Sequence, residues 1–173
     1  WLVGQHMDLR GPSQAYSDLF IPLLGSHQLV NAATAVAAYH ALCDGSRLRL
    51  GVEAVRRGLA TVRWCGRFEV VARCPYVVLD GAHNKDSGQR LVMALRDTFP
   101  GRRHALIVGS SVDKDIDGIA AAFSALTGRI WVTRSTHPRA AAPDLLAKAF
   151  AAHGCQAETT EDVREALRAA RAA

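Results

Sequence analysis

The rhythm of hydrophobic and polar positions changes about a third of the way along the chain. Residues 18–24, "DLFIPLL", predict an edge strand, because Pro22 cannot donate to a central ladder. "GSHQLVNAATAVAAYHAL" follows, with Ser26 as an N-cap and a long Ala-rich helix to about Cys43. "GVEAVRRGLATV", residues 51–62, predicts a second, shorter helix. This opening third reads as helical with a single strand, too little to close a core alone. From Arg67 the period shortens. "FEVVAR" and "YVVLD", separated by Cys74-Pro75, predict a hairpin. Helices near 86–98, 116–126, 143–152 and 161–171 then alternate with the apolar runs "HALIVGS", "RIWVTR" and "CQAETT". Such alternation predicts an α/β fold: a mostly parallel sheet with right-handed crossover helices on both faces, to which the hairpin adds an antiparallel strand.

Composition narrows the class. At 173 residues, with 49% hydrophobic and 21% charged positions, the chain is globular rather than disordered. No run approaches the roughly 18 apolar residues of a membrane span, and the first residues lack the pattern of a signal peptide. The absence of an initiator Met at Trp1 suggests a piece of something longer. Four dispersed cysteines (Cys43, Cys65, Cys74 and Cys155) form no C-x-x-C pair, which points to reduced thiols in a cytoplasmic protein. The net charge of +5 comes from arginines spread beside alanines on helix faces. It reads as solvated surface first, attraction of an anionic ligand second, and nucleic acid last.

Three stretches concentrate chemistry. In "VVLDGAHNKDSGQRLVMAL", residues 77–95, Asp80 ends an apolar run and Gly81 permits a sharp exit. A carboxylate at a strand's carboxyl end suits a ribose hydroxyl pair, or it simply caps the next helix. His83 and Asn84 stand at that helix's start, where amides and dipole favour a phosphate, carboxylate or acyl phosphate. In "GSHQLVNAA", His27, Gln28 and Asn31 share one side of a helix's first turns. An Asn amide there matches the N6/N7 edge of adenine, and capping between domains is the competing reading. In "CGRFE", Arg67 is placed to stack on a base, pair with phosphate or hold Glu69. Lys114 in "GSSVDKD" follows a strand end and reads first as a turn with local ion pairs. His137 and Arg139 in "THPRAAAPDLL" either border the cleft or belong to a loop leading into a helix. No P-loop is present, since no Lys precedes Ser or Thr. No metal cluster is evident.

Taken together, "LLGSHQLVNAATAVAA", "GRFE" and "VVLDGAHNKDS" resemble the folylpolyglutamate synthase and dihydrofolate synthase family, within the wider Mur ligase group. "IVGSSVDKDI" and "THPRAAAPDLL" resemble later segments of that family, and the likeness runs from about residue 18 to 170 in the family's order. It implies that residues 1–62 are the end of a central ATPase domain and residues 63–173 the C-terminal Rossmann-like domain. It also implies that Asn31 reads adenine with His27 and Gln28 beside it, that Arg67 contacts the nucleotide and that Asp80 holds the ribose. The same likeness puts the catalytic His83 near the phosphate and incoming amino acid, with Asn84, Lys114, His137 and Arg139 in the substrate or phosphate vicinity. One departure stands out. The family motif continues with Pro after the Asn, and here Lys85 takes that place, removing a rigid helix start.

The implied activity is ATP-dependent addition of L-glutamate to folate or dihydropteroate through an acyl phosphate, with magnesium and a P-loop supplied by the protein's own N-terminal domain. Two other readings stand beside it: a Mur-type ligase of cell-wall precursors, and a non-catalytic nucleotide-binding module.

Overall fold

The computed structural model describes residues 2–11, 14–44, 51–126 and 128–173. The chain divides into two compact units, Trp1–Gly81 and Ala82–Ala173.

The first unit opens with a hairpin of β1 (Gln5–Arg10) and β2 (Ala15–Ile21), paired antiparallel. It continues with helices α1 (Ser26–Asp44) and α2 (Val52–Ala60) and a second hairpin, β3 (Glu69–Arg73) with β4 (Tyr76–Leu79). The expectation of one strand in the opening third is therefore corrected to two. β1 alternates half-buried Gln5, Met7 and Leu9 with exposed His6, Asp8 and Arg10, the period of a half-buried strand. In β2 both Ser17 and Asp18 are exposed between buried Tyr16 and Leu19, and the register with β1 shifts between Met7 and Leu9. Asp18 takes φ 52, and Asp8 Oδ1 accepts its N–H at 2.8 Å. Tyr16, Leu19 and Val36 form a core with Met7, Leu9, Val55 and Leu59 packed against it. Ser26 is the first helical residue rather than the cap. Gly25 precedes it, and its carbonyl accepts from Gln28 N–H at 2.9 Å.

The second unit is the α/β body. It runs α3 (Lys85–Thr98), β5 (Leu106–Val108), α4 (Ile116–Phe123), β6 (Ile130–Val132), α5 (Pro143–Ala152), β7 (Ala157–Thr159) and α6 (Val163–Ala172). The three strands form a parallel sheet in the order β5-β6-β7. Ile130, Trp131 and Val132 are all buried, and successive residues of a strand face opposite sides, so both faces of the central strand are covered. The α/β fold expected from the alternation is present. Within the first unit β3 and β4 pair antiparallel, as the hairpin expected at this point. Its closure is local, because the chain leaving β4 is tied back to the loop that precedes β3.

Helices α3 and α4 approach closely at Gly88, where an added Cβ would lie 2.9 Å from Ala122 Cβ. Gly88→Val should lower stability by about 1–3 kcal/mol through overpacking. Gly88→Ala should cost less, because its gain in helix propensity of about 1 kcal/mol offsets part of the clash. Denaturant midpoints check this, and a Gly88→Val variant as stable as the parent would contradict the close approach.

Candidate functional site

The first unit holds two of the predicted groups. Before β3, Gly66 turns the chain at φ 67 and donates its N–H to Glu69 Oε2 at 2.7 Å. Phe68, buried and at φ 45, donates its N–H to Asp80 Oδ2 at 2.8 Å, and Gly81 N–H donates to Gly66 O at 2.9 Å. Residues 66–69 and Asp80–Gly81 are thus one locked scaffold, although a dozen positions separate them in the chain. It carries the Arg67 guanidinium on one arm and the Asp80 carboxylate on the other. An added Cβ on Gly81 would lie 3.6 Å from Arg67 Nη1, in ordinary van der Waals contact, so the Arg67 side chain runs beside Gly81. Glu69, expected as a rival partner for Arg67, instead accepts from the Gly66 backbone.

At the start of α1 the three predicted residues do form a cluster. Gln28 is buried, with its Nε2 3.1 Å from His27 Nε2, and its Oε1 accepts from Asn31 Nδ2 at 3.0 Å. Its amide is engaged on both sides, which orients His27 and Asn31 beside it. Asn31 is exposed. Its amide nitrogen carries a second hydrogen for a base edge. Gln5, which the sequence did not single out, donates from Nε2 to Leu23 O (2.7 Å) and Gly25 O (2.9 Å) and pins this helix start to β1.

The second unit holds the remaining residues in two places. Asn84 caps α3, accepting Ser87 N–H at 2.9 Å, while Ser87 Oγ accepts from His83 N–H at 3.0 Å and Asn84 N–H at 3.1 Å. This capping box supplies the helix start that a proline would have given, with Lys85 as the first helical residue. It also engages the Asn84 side chain in the cap, with the exposed His83 next to it.

At the carboxyl edge of the parallel sheet, the segments leaving β5 and β6 are stitched together. Val112 N–H donates to Arg139 O at 2.9 Å, Ala141 N–H donates to Ser110 O at 2.8 Å, and Ser111 bridges Ala140. Asp113, not predicted as a site residue, organises the predicted cations, with Arg139 Nη1 at 3.5 Å and Lys114 Nζ at 3.6 Å. A hydrogen bond from its own backbone holds the Asp113 carboxyl below its ordinary range, and Arg139 and Lys114 add to the effect. His137 Nδ1 accepts from Arg139 N–H at 3.1 Å. Lys114, His137 and Arg139 are therefore one grouping. The signal for Asp113 lay in "VDKD", where an acid precedes the lysine at a strand exit.

Other arginines pair with acids on the surface, Arg90 with Asp86, Arg129 with Glu158 and Arg134 with Glu161. The basic excess is thus spread over exposed ion pairs rather than gathered in a stripe. The four cysteines form no disulfide. Among the described residues no group of three or more His, Cys, Asp and Glu is placed to hold a metal ion, and no helix is long and apolar enough to cross a membrane.

Comparison with known proteins places these groupings in context. The family model "Mur ligase, glutamate ligase domain" matches residues 66–173. The dihydrofolate synthase/folylpolyglutamate synthase of Mycobacterium tuberculosis is 35% identical over 167 residues, covering 95% of this chain and 34% of the relative. The crystal structure of the M. tuberculosis folylpolyglutamate synthase complexed with ADP and AMPPCP is similar with a TM-score of 0.91 at 34% identity, over 98% of this chain and 38% of that one. A bifunctional folylpolyglutamate synthase/dihydrofolate synthase with Mn, AMPPNP and L-glutamate bound is similar at a TM-score of 0.79 and 32% identity, over 94% of this chain and 37% of that one. This chain spans about a third of the length of these relatives.

Proposed function

We propose a function from one premise: the chain belongs to the Mur ligase family, whose glutamate ligase domain it carries at residues 66–173. The protein is the C-terminal portion of an ATP-dependent ligase that joins L-glutamate to a folate or to dihydropteroate, acting in the cytoplasm. The observation that supports this most is the locked scaffold of residues 66–69 and Asp80–Gly81, whose backbone bonds hold together the segments that carry Arg67 and Asp80. Residues 1–62 complete an ATPase domain, and residues 63–173 form the C-terminal domain.

In this reading Asn31 reads the adenine edge, steadied by Gln28 and His27. Asp80 accepts from the ribose hydroxyls and Arg67 pairs with phosphate oxygens. A carboxylate of the pterin substrate attacks the γ-phosphorus, ADP departs, and an acyl phosphate results. The glutamate amine then attacks the acyl carbon, phosphate leaves, and the amine releases a proton to solvent. His83 contributes a hydrogen bond as charge develops on the transferring phosphoryl group or the acyl oxygen. Lys114 and Arg139, with His137, present positive charge to the substrate's carboxylates. Magnesium neutralises phosphate charge when bound. Its ligands are expected from the P-loop portion of the protein.

The test is incubation of the full-length protein with ATP, magnesium, glutamate and each pterin in turn, followed by mass analysis of the pterin. Addition of one glutamyl unit supports the reading, and an unmodified pterin with every substrate overturns it. The 173-residue chain alone should release no product above a heat-inactivated control, since it lacks a P-loop. Turnover by the isolated chain would contradict the division of labour.

A further inference from the structure

We infer that Trp64 is a positioning residue that presents the Arg67 guanidinium to the nucleotide; this inference rests on the proposed contact of Arg67 with ATP. Trp64 is 61% exposed, so packing does not account for it, whereas Trp131 is fully buried in β6. Both indoles carry a guanidinium over the ring, Arg67 at 5.7 Å from the centroid of Trp64 and Arg129 at 4.8 Å from that of Trp131. The two guanidinium groups differ in charge compensation. Arg129 is also paired with Glu158 at 2.6 Å. Among the described residues, no carboxylate lies within ion-pair distance of Arg67.

That contrast gives the tryptophan its use. A carboxylate would hold Arg67 by occupying the N–H fork that a phosphate needs, and it would cancel the charge. An aromatic face holds the flat side of the guanidinium and leaves its edge donors and full charge for an incoming anion. The turn at Gly66, φ 67, with its N–H on Glu69 and its carbonyl on Gly81 N–H, fixes the backbone between the two side chains. The backbone lock and the indole together limit the rotamers of a side chain that would otherwise be ordered only on binding.

Steady-state kinetics of Trp64→Leu, Trp64→Phe, Arg67→Ala and the double variant Trp64→Leu/Arg67→Ala in the full-length ligase test this. Trp64→Leu should raise the KM for ATP about two- to fivefold, the range matching a cation–π contact at an exposed site, with kcat little changed. Trp64→Phe should recover part of the loss, and the double variant should be no worse than Arg67→Ala. If Arg67→Ala raises KM and Trp64→Leu does not, the positioning role is overturned while the nucleotide contact stands. If the two effects multiply in the double variant, Trp64 acts independently of Arg67 and the inference also fails. If Arg67→Ala leaves KM unchanged, the nucleotide contact itself is wrong, and the role of Trp64 falls with it.

Discussion

His83→Ala in the full-length ligase should lower kcat for glutamate addition about a hundred- to a thousandfold, the range for removing one donor aimed at developing charge. The KM for ATP should stay within a few fold. The backbone of His83 takes part in the start of α3, and the alanine variant keeps it. Its N–H is taken by Ser87 Oγ at 3.0 Å, and the capping box that starts α3 is built from Asn84 and Ser87. Alanine keeps that backbone bond, so a lost rate reports chemistry and not a frayed helix. Single-turnover measurements of acyl-phosphate formation and of glutamate addition would locate the affected step. An unchanged kcat would make His83 a structural residue and remove the catalytic member of the site.

Asp80→Asn should do the opposite, raising the KM for ATP on the order of ten- to a hundredfold with kcat little altered. A ribose contact is made equally in ground and transition states, so its loss is a loss of uniform binding. A hydrogen bond to a charged acceptor is worth roughly 1.5–3 kcal/mol, which sets the scale. Asparagine is the informative replacement because Asp80 already serves Phe68, whose N–H lies 2.8 Å from Oδ2. Asparagine offers one acceptor oxygen, enough to keep Phe68 in its positive-φ conformation but not to hold ribose as well. Asp80→Ala should be worse, since it frees the loop that carries Arg67. Isothermal titration with an ATP analogue separates the cases. Unchanged affinity in Asp80→Asn would show that the carboxylate only braces the loop.

Much of the α/β body was legible because its signals are local. Apolar triplets such as "LIV" and "IWV" flanked by amphipathic helices specify strand and helix without reference to distant residues. The first hairpin was missed because its two strands signal weakly. β1 alternates only half-buried positions, and the two exposed residues in β2 break the alternation that a regular strand would show. The β3–β4 hairpin was foreseen, because two β-rich runs flank Cys74-Pro75. The lock behind it was not, because it depends on long-range hydrogen bonds, from Phe68 N–H to Asp80 and from Gly81 N–H to Gly66.

The site divides along the same line. The proposed roles of Asn31, Arg67, Asp80 and His83 came from the family resemblance, and the groupings at α1 and at the sheet edge were visible as short motifs. The roles of Gln28, Asn84, Asp113 and Trp64 were not, because each depends on which neighbour its side chain meets. Gln28 braces His27 and Asn31 from a buried position, and Asn84 caps α3.

The most direct measurement follows the oxygen atoms. The full-length ligase is supplied with a pterin substrate whose reacting carboxylate carries a heavy isotope at both oxygens, together with ATP, magnesium and glutamate, and the released phosphate is analysed. Attack of the carboxylate on the γ-phosphorus predicts one labelled oxygen in each phosphate released per glutamate added. Unlabelled phosphate accompanying product would contradict the acyl-phosphate route, and label transfer that ignores glutamate while no amide forms would contradict the assignment as a glutamate ligase.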